Sequence, residues 1–140
     1  MKNLILILVM FIFFVPVAQE ITYKKDYQGN INAYNQNGAL IATGQYNYAG
    51  DLVWYDPNGA EIKTVSSNYN VTTTINPNGS VQNTRETNYA GDTVERDQYG
   101  NILYTYRTNY AGNIDKYDAN NNLIGTYEKD YAGNWVFYSR

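Results

Sequence analysis

Six tyrosines set the frame of this chain: Tyr27, Tyr48, Tyr69, Tyr89, Tyr110 and Tyr131, separated by 21, 21, 20, 21 and 21 residues. Four of them open a Tyr-Ala-Gly triplet, and every one follows Asn or Asp. A period of this size means one small supersecondary unit in tandem, which cannot bury its apolar side alone and must pack on its neighbours. It also argues against an enzyme, because a repeat multiplies its residues instead of building one asymmetric site.

Each unit holds two turn signatures of one kind, as in Asn47-Tyr48-Ala49-Gly50-Asp51 and Asp56-Pro57-Asn58-Gly59-Ala60. The leading Asp or Asn can accept hydrogen bonds from the backbone that follows, and Gly supplies a positive φ at little cost. Together these suit a type I turn closed by a bulge, the usual three-residue hairpin loop. The second signature recurs at residues 35–38, 76–79 and 97–100. At 118–121 Asn121 stands in for Gly, and Asn is the next-best residue for a left-handed backbone.

Strand-sized segments rich in Tyr, Thr, Val and Ile lie between the turns, alternately about five and about eight residues long. No segment has a sustained helical period. The expected fold is therefore all-β, an antiparallel meander of about twelve short strands from six hairpin repeats. The unequal strand lengths must appear as stagger or be absorbed by bulges, and steady stagger coils a sheet. A coiled single-layer sheet and a barrel-like closure both satisfy the pattern. Leu52, Trp54, Trp135 and Phe137 fall on one set of alternate positions, against Val53, Tyr55, Val136 and Tyr138 on the other.

Aligned units share further columns. Thr stands five residues before each turn tyrosine, from Thr22 to Thr126, and an apolar column follows the second turn at Ile41, Ile62, Leu103 and Ile124, with Gln82 as the exception. An aromatic column ends the short strand at Tyr34, Tyr55, Tyr117 and Tyr138, with Ile75 and Arg96 in the other copies. Cross-strand pairing and turn capping account for such columns. Two places break the pattern. The third unit is one residue short and lacks Gly after Tyr69, and the fourth carries Glu95 and Arg96 where large apolar groups are expected. Solvated surface is the reading adopted for that pair, with a local bulge or a ligand contact as alternatives.

Residues 2 to 18 read as an export signal: Lys2, an apolar run from Leu4 to Val15, then Pro16-Val17-Ala18 as a cleavage site. The run is short of the roughly 20 residues that span a bilayer, so a removed leader is expected rather than an anchor, and no other stretch is apolar enough to span a membrane as a helix. The expected division is thus a signal peptide over 1–18 and one β-repeat domain over 19–140, placed in the periplasm, at the cell surface or in the medium. Lys2 is the only charge in the leader, which leaves 9 Lys plus Arg against 13 Asp plus Glu. That mild acidity argues against nucleic acid, whose binding needs a basic face.

The turn motifs resemble a known family. Tyr117-Asp118-Ala119-Asn120-Asn121-Asn122-Leu123 is similar to the RHS/YD repeat, written Y-D-x-x-G-x-L, as are Tyr55-Asp56-Pro57-Asn58-Gly59 and Asp97-Gln98-Tyr99-Gly100-Asn101-Ile102-Leu103. The resemblance implies a spiralling β-sheet in an exported or surface protein, although six units are too few to enclose a cargo domain. Residues 38–46 resemble the MORN-type hairpin more weakly, without its G-x-W element. Export and repeat length resemble curli-type amyloid subunits, without their Gln-rich pattern.

With neither His nor Cys, Ser-His-Asp and Cys-His catalysis and the common zinc sites are excluded. Paired carboxylates remain, as Asp92 with Glu95 or Asp115 with Asp118, but they sit where solvation or turn capping explains them. Asp118-x-Asn120-x-Asn122 opens like a calcium loop, yet Leu123 replaces the required Gly. The sequence therefore nominates no catalytic residue, cofactor or metal. Trp54, Tyr55, Trp135 and Tyr138 are the candidate ligand contacts, since aromatic faces stack on sugars while Asn and Asp bind hydroxyls. The expected function is a non-enzymatic structural or interaction module at the cell surface, with a protein or a glycan as partner. The alternatives are a small multivalent lectin, and a fibre subunit that self-associates through the edge strands of an open meander.

Overall fold

The computed structural model describes residues 20–140, so the export-signal reading of residues 2 to 18 lies outside the described residues. Twelve strands follow in order: β1 (Ile21–Lys25), β2 (Ile31–Tyr34), β3 (Leu40–Tyr46), β4 (Leu52–Tyr55), β5 (Glu61–Asn68), β6 (Val71–Ile75), β7 (Val81–Thr87), β8 (Thr93–Asp97), β9 (Ile102–Thr108), β10 (Ile114–Asp118), β11 (Leu123–Lys129) and β12 (Trp135–Ser139). Each is antiparallel to its chain neighbours, and β1 pairs with β12, so the meander closes into a barrel. The described residues contain no helix, as the sequence pattern predicts.

Closure follows from a device repeated at each of the five pairings β2–β3, β4–β5, β6–β7, β8–β9 and β10–β11. The register shifts between Ala33 and Tyr34, Trp54 and Tyr55, Thr74 and Ile75, Glu95 and Arg96, and Lys116 and Tyr117. In each case the longer strand carries one extra residue opposite the shift, and these extras are Ile41, Ile62, Gln82, Leu103 and Ile124. The apolar column of the sequence is thus the bulge column. A bulge bends its strand and increases the local twist, and five bulges at one repeat position coil the sheet steadily onto its own edge. The surplus length of the odd strands goes into curvature.

The turns form as their chemistry dictates. In the Asn47 turn, Asn47 Oδ1 accepts from the Ala49 and Asp51 amides at 2.9 and 3.0 Å, and Asp56 repeats this with Asn58 and Ala60 at 2.9 Å each. Asn121 adopts φ 65°, as its place in the Gly column requires. The short third unit makes a tight turn at Tyr69-Asn70, where Tyr69 takes a φ of 54° without being glycine.

Alternation sorts the two faces. Leu52, Trp54, Trp135 and Phe137 point inward with Ile21, Tyr23, Ile31, Ala33, Ala42, Val65, Tyr106, Ile114 and Tyr127. Val53 and Val136 are also covered but stand apart from that core, on the outer side. Small residues make room for rings: a Cβ on Gly44 would lie 3.1 Å from Trp54, whose indole lies against it.

Candidate functional site

Because the meander is antiparallel, the six turns that follow odd-numbered strands all stand at one end of the barrel. Those turns carry Tyr27, Tyr48, Tyr69, Tyr89, Tyr110 and Tyr131, each between 97 and 113% exposed. One rim is therefore a crown of six phenol rings in water. The opposite rim uses the same turn geometry with Gln36, Pro57, Pro77, Gln98 and Ala119 at the equivalent position. The turn itself makes no demand for tyrosine there.

The mounts are stiff. Asp26, Asn47, Asn109 and Asp130 each accept two backbone amides of their own turn through Oδ1, and Asn88 accepts one. Those contacts hold the Asp26 and Asp130 carboxyls below the usual range despite some desolvation. Between the β5–β6 and β7–β8 turns the crown is interrupted by a groove of about 540 Å³, lined by Asn70, Glu86, Thr87, Asn88 and Tyr89. The tight Tyr69-Asn70 turn is tied to β7 there, through the Thr87 amide donating to Asn70 O at 3.1 Å and Asn70 Nδ2 donating to Thr87 O at 3.2 Å.

A second concentration of polar groups lies inside the barrel wall. Glu95 is buried, which corrects its reading as solvated surface. Strand alternation aims it at the interior, and the register shift that follows it places Arg96 at a bulge. Its Oε2 accepts from Arg85 Nε at 2.9 Å and from Tyr106 Oη at 2.6 Å, while Oε1 accepts from Asn83 Nδ2 at 2.8 Å. Burial would lower Arg85, but Tyr106 and Glu95 beside it hold its guanidinium above the ordinary range. Lys63 is brought down to about 7 by burial and by the Arg85 charge, and burial brings Lys116 to about 8. Lys116 Nζ also lies 3.8 Å from the centre of the Tyr104 ring. Asn83 and Arg85 on β7, Glu95 on β8 and Tyr106 on β9 are thereby tied together across three neighbouring strands.

The residues nominated from sequence are divided by the barrel wall. Trp54 and Trp135 are buried inside, Trp54 edge-on to Tyr23 with ring centres 6.5 Å apart. Tyr55 and Tyr138 are on the outer face, so the four make no common surface. Asp92 and Glu95 also fall on opposite sides: Asp92 lies 3.5 Å from the outward Arg107 Nε. Asp115 accepts from Thr126 at 2.8 Å on the outer face, and Asp118 accepts the amides of Asn120 and Asn122 at 2.9 and 2.8 Å, which is turn capping. The signal for the crown was present in the sequence: Tyr occurs at every odd turn and at no even turn in that position.

No protein-family model and no curated protein matches the chain. Among solved structures, an Arabidopsis thaliana protein superposes with a TM-score of 0.69 over 89% of this chain and 82% of its own, at 11% identity. That likeness shows the fold alone. An alternansucrase solved with isomaltononaose is 25% identical over 81% of this chain but 10% of the enzyme, with a TM-score of 0.22, too low to carry an argument.

Proposed function

We propose that this chain is a non-enzymatic, exported β-repeat protein that serves as an interaction module at the cell surface, with the tyrosine-bearing rim as its contact face. The observation that carries the reading is the asymmetry of the two rims. Turns of one geometry tolerate Pro, Gln or Ala at one end, while five of the same kind and the tighter Tyr69-Asn70 turn all carry an exposed Tyr at the other. Tyrosine supplies a large, amphipathic contact surface with few rotatable bonds, which is why it recurs in binding surfaces. Six copies on one ring favour a repetitive partner, where weak contacts add by avidity. The RHS/YD-like turns support placement outside the cell.

The expectation of fibre assembly rested on open edge strands, and among the described residues β1 and β12 close the sheet. The test is a variant with all six turn tyrosines replaced by serine. The reading expects an unchanged fold by circular dichroism and loss of binding to cells and to isolated cell envelopes. Undiminished binding by that folded variant removes the rim from the account.

A further inference from the structure

We infer that the gap in the crown beside Tyr89 is a binding site for an uncharged saccharide. This deepens the rim reading and rests on it. The gap exists because the repeat is broken there. The third unit turns through Tyr69-Asn70 alone, while the other rim turns use five residues closed by Gly. The groove left behind is of about 540 Å³, within the usual range of about 300–1,000 Å³ for small-molecule sites.

Its walls have the chemistry of a polyol site. Tyr89 offers an aromatic face on which the C–H side of a sugar ring can lie. Thr87 Oγ1 is paired with Thr93 Oγ1, Asn88 Oδ1 caps its turn and Asn70 Nδ2 is bound to Thr87 O. That leaves Asn70 Oδ1, Asn88 Nδ2 and the Glu86 carboxylate to meet a ligand with both donor and acceptor chemistry. Among the described residues one negative charge and no cation line it, which disfavours phosphorylated ligands and nucleic acids. A peptide added as an extra strand has no unpaired edge to join among the described residues, since the barrel is closed. The two hydrogen bonds between Asn70 and Thr87 carry the β6–β7 pairing one residue beyond Val71 and Glu86 and fix these two lining residues against each other.

The experiment titrates the chain with neutral tetrasaccharides of glucose, galactose, mannose and N-acetylglucosamine, followed by saturation-transfer and backbone-amide NMR. Tyr89→Ala is compared in parallel with Tyr99→Ala on the opposite rim, since both side chains are exposed and stand outside the core. Shifts confined to residues 70 and 86–89 by at least one sugar are expected, with binding about ten-fold weaker in Tyr89→Ala and within about two-fold in Tyr99→Ala. No saturation transfer from any of the sugars overturns the proposal, as does an equal loss in both variants or a comparable response to inorganic phosphate. Those outcomes leave the rim reading standing if the six-serine variant still loses cell-surface binding. The rim reading falls only if that variant binds like the wild type.

Discussion

Arg85 and Glu95 face each other across β7 and β8 inside the barrel, with Arg85 Nη2 2.8 Å from Glu95 Oε2 and both side chains buried. A buried pair of this kind gains little over a well-packed apolar pair, but removing one partner leaves a desolvated charge. Glu95→Gln is therefore expected to destabilise the fold by about 3–5 kcal/mol. The double replacement Arg85→Met with Glu95→Leu should recover at least half of that. Urea unfolding of the three chains decides it, and a single-variant loss below about 1 kcal/mol contradicts the buried pairing.

The interior amines make stability depend on pH with a defined sign. Lys63 is depressed to about 7 and Lys116 to about 8, against 10.5 for an exposed lysine. The unfolded chain binds more protons between those values, so stability rises as the pH climbs from about 7 to about 10. Burial holds Tyr23, Tyr106 and Tyr127 above the ordinary 10.0, so beyond that point the unfolded chain releases its phenolic protons first and stability falls. Urea midpoints at about pH 6, 8, 9.5 and 11 should peak between about 8 and 10. A steady decline from about pH 6 to 9.5 contradicts the buried lysines.

Gly125 is small because Phe137 folds over it. A Cβ there would also stand 2.8 Å from the Tyr138 carbonyl oxygen, and backbone cannot move aside cheaply. Gly125→Ala should cost about 1–3 kcal/mol, as overpacking does. A melting temperature unchanged from the wild type shows that the ring does not lie over this position.

Tyr69 holds a left-handed backbone without being glycine, at φ 54°. That conformation costs roughly 1–2 kcal/mol for a residue with a Cβ, part of which Gly returns as unfolded-state entropy. Tyr69→Gly is expected to be neutral or to stabilise by up to about 1 kcal/mol. Calorimetric melting checks this, and a loss above about 1 kcal/mol means that the ring contributes packing instead.

The period, the turn chemistry and the all-β class were legible because each rests on local geometry. Gly or Asn in a left-handed position and Asx capping need only a few adjacent residues, and Asn121 shows how far that logic reaches. Closure was not legible in the same way. The five register shifts could be seen as a length imbalance, but whether bulges coil a sheet enough to meet its own edge depends on the sum over twelve strands. Glu95 was misplaced for a related reason: its burial depends on Arg85, ten residues away, which no repeat column marks. Trp54 and Trp135 looked like contact residues because a mixed strand does not announce which face is inside. The crown needed both facts together, the tyrosine at alternate turns and the antiparallel order that collects those turns at one end.

The central claim is that the repeat closes into a ring and gathers its tyrosines on one rim, and it is tested most directly across the seam. The chain has no cysteine, so Tyr27→Cys with Tyr131→Cys gives a clean pair for spin labelling. In the barrel those turns are neighbours, two strands apart across the β1–β12 pairing, which puts their backbones about 10 Å apart at the usual strand spacing. In an open meander they are the most distant pair on that side, about 50 Å apart by the same spacing. A dipolar distance near 10–20 Å, labels included, is the predicted result, and one beyond about 40 Å contradicts closure and the crown together.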